Sequence, residues 1–277
     1  MKNTSTIFFS FVIMALTACS GSKSMYKKGV TLQNAGLEQE AAQFYIDALK
    51  RNRTNERAII SLKQVGQKVL DEKFSTFYRF HSDDKNKEAV YTYLDAVDFR
   101  QKVEQVGVRL YTAPYYEDYY IQSRDSYLAE LYDKAEKDLF NENFKDAEAS
   151  LAIIKRLDPN FKDVDQLSKF AFVEPRYRQA LKAYDERKFR TAYNLFKEVT
   201  DKTGGYKESR DYMDLALESA QFTIGMLPIE NSSNIPGIES AIYASVIREI
   251  QGLNDPFIRL VDRKNTDALL NEQFYNM

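Results

Sequence analysis

The sequence predicts a mainly α fold: an array of helical hairpins followed by a small βαβα module. Three observations predict it. From about residue 25 to 220, Gly and Pro are scarce, and Ala, Tyr and Phe recur at helical spacing. After about residue 220 the pattern changes to short β-branched apolar runs separated by Pro, Gly and Asn. The first 18 residues, in contrast, have the make-up of an export signal rather than of folded structure.

Residues 1–19 read MKNTSTIFFSFVIMALTAC, with Lys2 before an apolar run from Ile7 to Leu16. The run is shorter than the ~20 residues a membrane-spanning helix needs. It ends in Leu16-Thr17-Ala18-Cys19, where Cys19 is the single cysteine of the chain. This end resembles the lipobox of bacterial lipoproteins, which implies cleavage before Cys19, acylation of its sulfur and a mature chain starting there. Residues 1–18 are then the signal peptide. Residues 19–24, Cys-Ser-Gly-Ser-Lys-Ser, are expected to be a flexible polar tether. More than one acyl chain is needed for stable anchoring, and a mature lipoprotein carries two or three. Ser20 after the cysteine, with no acidic residue beside it, resembles an outer-membrane sorting signal with the body in the periplasm.

Residues 25–220 divide into repeated units. The segment YKKGVTLQNAGLEQEAAQFYIDALKRNRTN puts Gly29 and Leu32 on one helix, with Ala41, Tyr45 and Ala48 on the next. LYDKAEKDLFNENFKDAEASLAIIKRLDPN repeats the logic with Ala135, Phe144, Ala147 and Leu151. YRQALKAYDERKFRTAYNLFKEVTDKTGG repeats it with Ala180, Phe189, Ala192 and Phe196. A weaker copy has Ala89, Tyr93 and Ala96 after a turn at Ser82-Asp83-Asp84, with its first helix expected over about 64–81. Small residues at these places let helix backbones approach, and rings fill the space between pairs. The units resemble tetratricopeptide (TPR) repeats, which implies a TPR-like α-solenoid of helical hairpins with a partner-binding concave face. The anchoring alanines 41, 89, 147 and 192 are spaced by 48, 58 and 45 residues. A regular TPR array repeats every ~34, so these hairpins are longer or carry inserts.

One insert, RLYTAPYYEDYYIQSRDSY at 109–127, groups Tyr115, Tyr116, Tyr119 and Tyr120 after Pro114. Tyrosine joins a large contact area to a hydrogen-bonding tip, which suits interfaces. Two readings stay open: a partner-binding loop, or a long turn whose rings pack on adjacent helices. His81 reads as a helix cap or surface residue, and Asp83 and Asp84 as helix-start acids.

Residues 221–277 begin with a strand over Phe222–Ile229 and a polar loop at Glu230-Asn231-Ser232-Ser233-Asn234. A helix follows with Ile238, Ile242, Val246 and Ile250 on one face, ended by Gly252 and Asn254. Phe257–Val261 is a second strand, and a further helix is expected to the end. Strand, crossover helix and strand imply a parallel pair. The exit LPIENSS and the segment FIRLVDRKNTDALLNEQ resemble the opening of the CsgG-type domain, shared by the curli secretion channel and LpoB-type activators of peptidoglycan synthases. Asp262, Arg263, Leu269, Leu270 and Glu272 fall on the matching positions. That family's domain continues with more strands, whereas this sequence stops at Met277. The expectation is therefore a fragment, a sheet completed by another chain, or a reduced docking module.

The charge balance, with 39 Lys and Arg against 41 Asp and Glu, gives no overall basic character for nucleic acid. One Cys and one His make no zinc set. No P-loop, G-x-S-x-G or G-x-G-x-x-G occurs. The sequence thus leads to a non-enzymatic protein without a cofactor, lipid-anchored in the bacterial cell envelope and binding other envelope proteins through its helical repeats. Membrane contact comes through acyl chains on Cys19, and self-association through the C-terminal module is a further expectation. The alternatives are a subunit of a CsgG-like secretion or assembly complex, or a carbohydrate-binding lipoprotein.

Overall fold

A computed structural model describes residues 21–226 and 229–262. The signal segment, Cys19, Leu227-Pro228 and the expected last helix with Arg263, Leu269, Leu270 and Glu272 lie outside the described residues. The described chain is mainly helical. Helix α1 covers 21–34, followed by α2 (Glu38–Arg51), α3 (Glu56–Ser82), α4 (Asn86–Gln105), α5 (Tyr115–Phe140), α6 (Phe144–Leu157), α7 (Val164–Asp185), α8 (Phe189–Thr203) and α9 (Ser209–Ala220). Strand β1 (Phe222–Met226), helix α10 (Ile238–Gly252) and strand β2 (Ile258–Asp262) complete it. The fold divides within α5 into two compact units, one up to Asp133 and one from Lys134.

In the first unit α2 packs on α3 and α3 on α4; in the second α6 packs on α7, α7 on α8 and α8 on α9. Helices adjacent in sequence are thus neighbours in space, as in hairpins. Ala41, Ala89, Ala147 and Ala192, each in the first turn of a second helix, are completely buried. The close approach has a clear instance at Gly29 of α1, where a Cβ would lie 2.6 Å from the Tyr45 ring. Tyr45 is itself buried and donates to Gln33 Oε1 at 2.6 Å.

The turns before these alanines are all built one way. Gly36, Asp84, Glu142 and Arg187 have φ of 76, 55, 59 and 57°. After each, the next residue's N–H reaches five residues back: Leu37 to Leu32, Lys85 to Phe80, Asn143 to Asp138, and Lys188 to Ala183, at 2.8–3.0 Å. This is the Schellman closure of a helix C-terminus, which puts a left-handed residue just past the last turn. Each left-handed residue precedes its buried alanine by five positions, so the spacing found in the sequence is repeated in the backbone. Asp83 and Asp84 are consequently not helix-start acids. Asp83 caps the end of α3, Asp84 is the left-handed residue, and Lys85 is the N-cap of α4.

Two expected boundaries differ. Residues 21–24, expected as tether, are helical: Ser22 is buried, its hydroxyl donates to Ala48 O at 2.8 Å, and Asn55 Nδ2 donates to it at 3.0 Å. These tertiary bonds override a composition that favours coil. Helix α3 starts at Glu56, not near 64, because Asn55 caps it by accepting from the Ala58 N–H and because Ala58 and Leu62 are buried.

At the C-terminal end β1 and β2 pair in parallel, Phe222 opposite Ile258 through Met226 opposite Asp262. The described part of the first strand runs to Met226, and Ile229 is not in a strand. Phe257 fixes the sheet to α8: it is buried, meets Tyr193 edge-on at 5.2 Å, and lies under the Arg190 guanidinium at 4.9 Å. α10 has the expected span but buries none of its residues, and Ile242 and Val246 of its apolar face are exposed. Among the described residues the sheet has two strands, which are too narrow to cover it.

Candidate functional site

The tyrosine-rich insert is where sequence reasoning placed a site, and the structure makes it part of a helix. Gly107, at φ 88°, stops α4, and its neighbour's N–H returns to Val103 O. Val106 at the end of α4 is buried, and so are Val108 and Leu110 in the segment that follows. Gln67 of α3 holds it by accepting from the Tyr111 N–H at 2.9 Å and donating to the Tyr111 carbonyl at 3.0 Å. Pro114 precedes α5, and Glu117 and Asp118 sit in its first turn, where acids favour the exposed N–H groups. Tyr115, Tyr116, Tyr119 and Tyr120 are thus the opening turns of α5, not a loop.

Burial separates an outward Tyr115 from three partly buried rings. Tyr116 and Tyr120 pack against the unit. Tyr116 stacks on Phe74 at 4.5 Å and 16°, and Tyr120 on Tyr93 at 4.1 Å and 13°. Tyr115 is about half exposed, whereas Tyr119 is partly buried like Tyr116 and Tyr120, packs with them against the core and stacks on His81 at 4.8 Å. Tyr78 approaches Tyr119 at 5.4 Å, so Tyr78, Tyr115 and Tyr119 edge a continuous aromatic surface. Of the two readings the sequence left open, ring packing on adjacent helices is realised by Tyr116, Tyr119 and Tyr120. Tyr115, with Tyr78, is exposed at the outer edge of the cluster.

Burial raises the Tyr116 hydroxyl to about 12, with its hydrogen bond to Tyr115 adding to the effect. Burial also raises Tyr120 and Tyr93. All three stay protonated near neutral pH, so they offer rings and O–H groups rather than bases.

Beside this cluster, His81 Nδ1 and Ser123 Oγ lie 2.9 Å apart, a pair that separation in sequence concealed. Ser123 is fully buried in α5. A serine nucleophile must face its substrate, so the pair's geometry is that of a structural bond joining α3 to α5. His81 is correspondingly half-buried between rings rather than a free surface residue.

The second unit has an ionic centre that the sequence did not suggest. Glu174 of α7 is 5% exposed and accepts from Arg178 Nε at 2.8 Å, Tyr206 OH at 2.6 Å and Lys207 Nζ at 2.7 Å. Arg178 also reaches Glu142 at 2.8 Å. Burial raises the Glu174 carboxyl, but the three donors outweigh it and hold it at about 2. Tyr177 donates to Glu208 at 2.8 Å, and burial with that bond lifts it to about 12. The centre ties α7 to the α8–α9 turn and to the α5–α6 turn, which makes it a structural device.

Among the described residues no group of three or more His, Cys, Asp or Glu could hold a metal ion, and no helix is long and apolar enough to cross a membrane. Comparison with family models, curated proteins and solved structures finds no match to this chain.

Proposed function

We propose that the protein is a non-enzymatic, lipid-anchored scaffold of the bacterial cell envelope, a TPR-like α-solenoid that binds other envelope proteins. The observation that carries the reading is the repeated backbone unit: four left-handed turns, each followed five residues later by a buried alanine. An array built by repetition gains extended surface without needing a central pocket. The Cys19 motif supplies the anchor, most suitably in the outer membrane facing the periplasm. The exposed Tyr115, with the edge of Tyr119 beside it, supplies a contact surface, and Tyr116 and Tyr120 hold it in place.

A second reading, a subunit of a CsgG-like secretion or assembly complex, is favoured by the terminal module. Its parallel strands with a crossover helix, and the uncovered Ile242 and Val246, suit completion by another chain. A ring-shaped particle in electron microscopy selects this reading; a monodisperse monomer removes it.

The scaffold reading is tested in two parts. Palmitate labelling and membrane fractionation should follow Cys19, and Cys19→Ser should abolish label and release the protein. Crosslinked pull-downs from membranes should recover specific envelope proteins, with recovery reduced by Tyr115→Ala plus Tyr119→Ala. A Cys19→Ser protein that stays anchored, or a wild type that captures nothing, overturns it. Binding to a glycan array lost in the same tyrosine variant would replace protein by carbohydrate as the ligand.

A further inference from the structure

We propose that the basic end of the first helical hairpin rests on an anionic phospholipid surface. Three segments converge there. Ser22 at the start of α1 bonds to Ala48 near the end of α2 and to Asn55 before α3. The Arg51 guanidinium lies against Gly21, where a Cβ would be 2.8 Å from its Nη1. The end so formed displays Lys23, Lys27, Arg51, Arg53 and Arg57, all exposed. No ion pair among the described residues engages any of the five. The acids close by are Asp47, which pairs with Lys50 at 3.2 Å, and Glu56. In a chain whose charges nearly cancel, this is a local excess of cations.

The same end holds a groove of about 880 Å³. Lys23, Lys27 and Arg57 line it against the single acid Glu56, with Tyr26 and Val30 as its apolar part and Asn55 and Thr54 as polar groups. Cations around a partly apolar groove match a phosphate headgroup with its glycerol. The position of Cys19 makes a lipid the occupant. Only Ser20 lies between it and Gly21 in the chain, so their Cα atoms are no more than ~7.6 Å apart in any conformation. That is about one Debye length at physiological salt, within which surface charges act on one another. An acylated Cys19 would therefore place these cations at the headgroups, not at the end of a loose tether.

The inference rests on the proposed anchor for delivery to the surface, but the headgroup contact is tested without acyl chains. The chain from Ser20 to Met277 contains every described residue. Its partition is measured onto vesicles of phosphatidylglycerol and phosphatidylcholine in equal parts, and onto phosphatidylcholine alone. Binding is expected only to the anionic vesicles and should weaken as salt is raised. Replacing Lys23, Lys27, Arg53 and Arg57 by Gln should lower the partition coefficient by about fivefold per cation. A control replacing the exposed Lys87, Lys137, Lys145 and Lys182 by Gln should bind nearly as wild type, and circular dichroism checks that both variants fold. Equal binding to both vesicles, or equal loss in the two variants, overturns the proposal. So does unchanged vesicle binding in a Lys23, Lys27, Arg53 and Arg57 variant that loses an acidic protein partner. Absence of palmitate label with anionic-vesicle binding intact would overturn the anchor alone.

Discussion

Glu174→Gln is expected to destabilise the second unit, and the loss should itself depend on pH. The wild-type carboxylate is buried and takes three donors, from Arg178, Tyr206 and Lys207. An amide keeps the shape but turns an N–H₂ toward at least one of them. The folded carboxyl is held at about 2, against 4.5 unperturbed. That difference corresponds to at most ~3.4 kcal/mol. Arg178 and Lys207 are nearly half exposed, so solvent screens them, and about 2 kcal/mol is the expected value. Because the folded value lies below the unfolded one, the stabilisation is fully present above 4.5. It is lost as pH falls from there toward 2, when the unfolded chain binds the proton first. Urea melts of wild type and Glu174→Gln at a series of pH values give the difference directly. It should be constant from neutrality to about pH 5 and shrink below. A difference that stays flat between pH 6 and 3 would refute the ionic account and leave only shape and packing.

Gly29→Ala should destabilise the first unit by about 1–3 kcal/mol in denaturant melts, since the new methyl meets the Tyr45 ring and overpacking exceeds the ~1 kcal/mol gain in helix propensity. A stabilised variant would mean that the helices can separate freely. Arg187→Gly should stabilise the second unit by about 0.5–1 kcal/mol, because φ of 57° suits glycine and the relief exceeds the added chain entropy. A lower melting temperature would contradict that. Tyr116→Ala should cost about 2–3 kcal/mol through its lost stacking on Phe74, whereas the more exposed Tyr115→Ala should cost under ~1 kcal/mol. Equal costs in thermal melts would undo the contrast between a packed Tyr116 and an outward Tyr115.

What could be read from the sequence was whatever depends on local spacing. The alanines at 41, 89, 147 and 192 are visible because a small residue is required where two backbones approach. The span of α10 is visible because its apolar period and Gly252 are local. The left-handed turns were less visible, since three of the four use Asp, Glu or Arg where glycine would have signalled the conformation. Ser22 looked like tether because serine, glycine and lysine favour coil, and only Ala48 and Asn55 from later helices make it helical. The start of α5 was obscured by Pro114 and by tyrosines, whose helical state is set by Phe74, Tyr93 and His81. The candidate site was legible only as a concentration of rings. Which rings turn inward depends on a helix phase that begins at Tyr115. The Glu174 centre joins residues more than thirty positions apart and carries no local signature.

The terminal strands extend the argument from folding to assembly. A pair of five-residue strands is marginal alone, and three strands or a covering helix are needed for independent stability. Here the crossover helix buries no residue, and the sheet is held to α8 through Phe257, Tyr193 and Arg190. Strand β1 also carries no charge along FTIGM, so its side chains place none of the usual charged guards against a further strand there. Among the described residues this end therefore combines an uncharged strand with exposed Ile242 and Val246 on the crossover helix, an apolar face anchored to α8 by Phe257. In the proposed scaffold, the helical array positions that face for a further strand or an apolar partner surface.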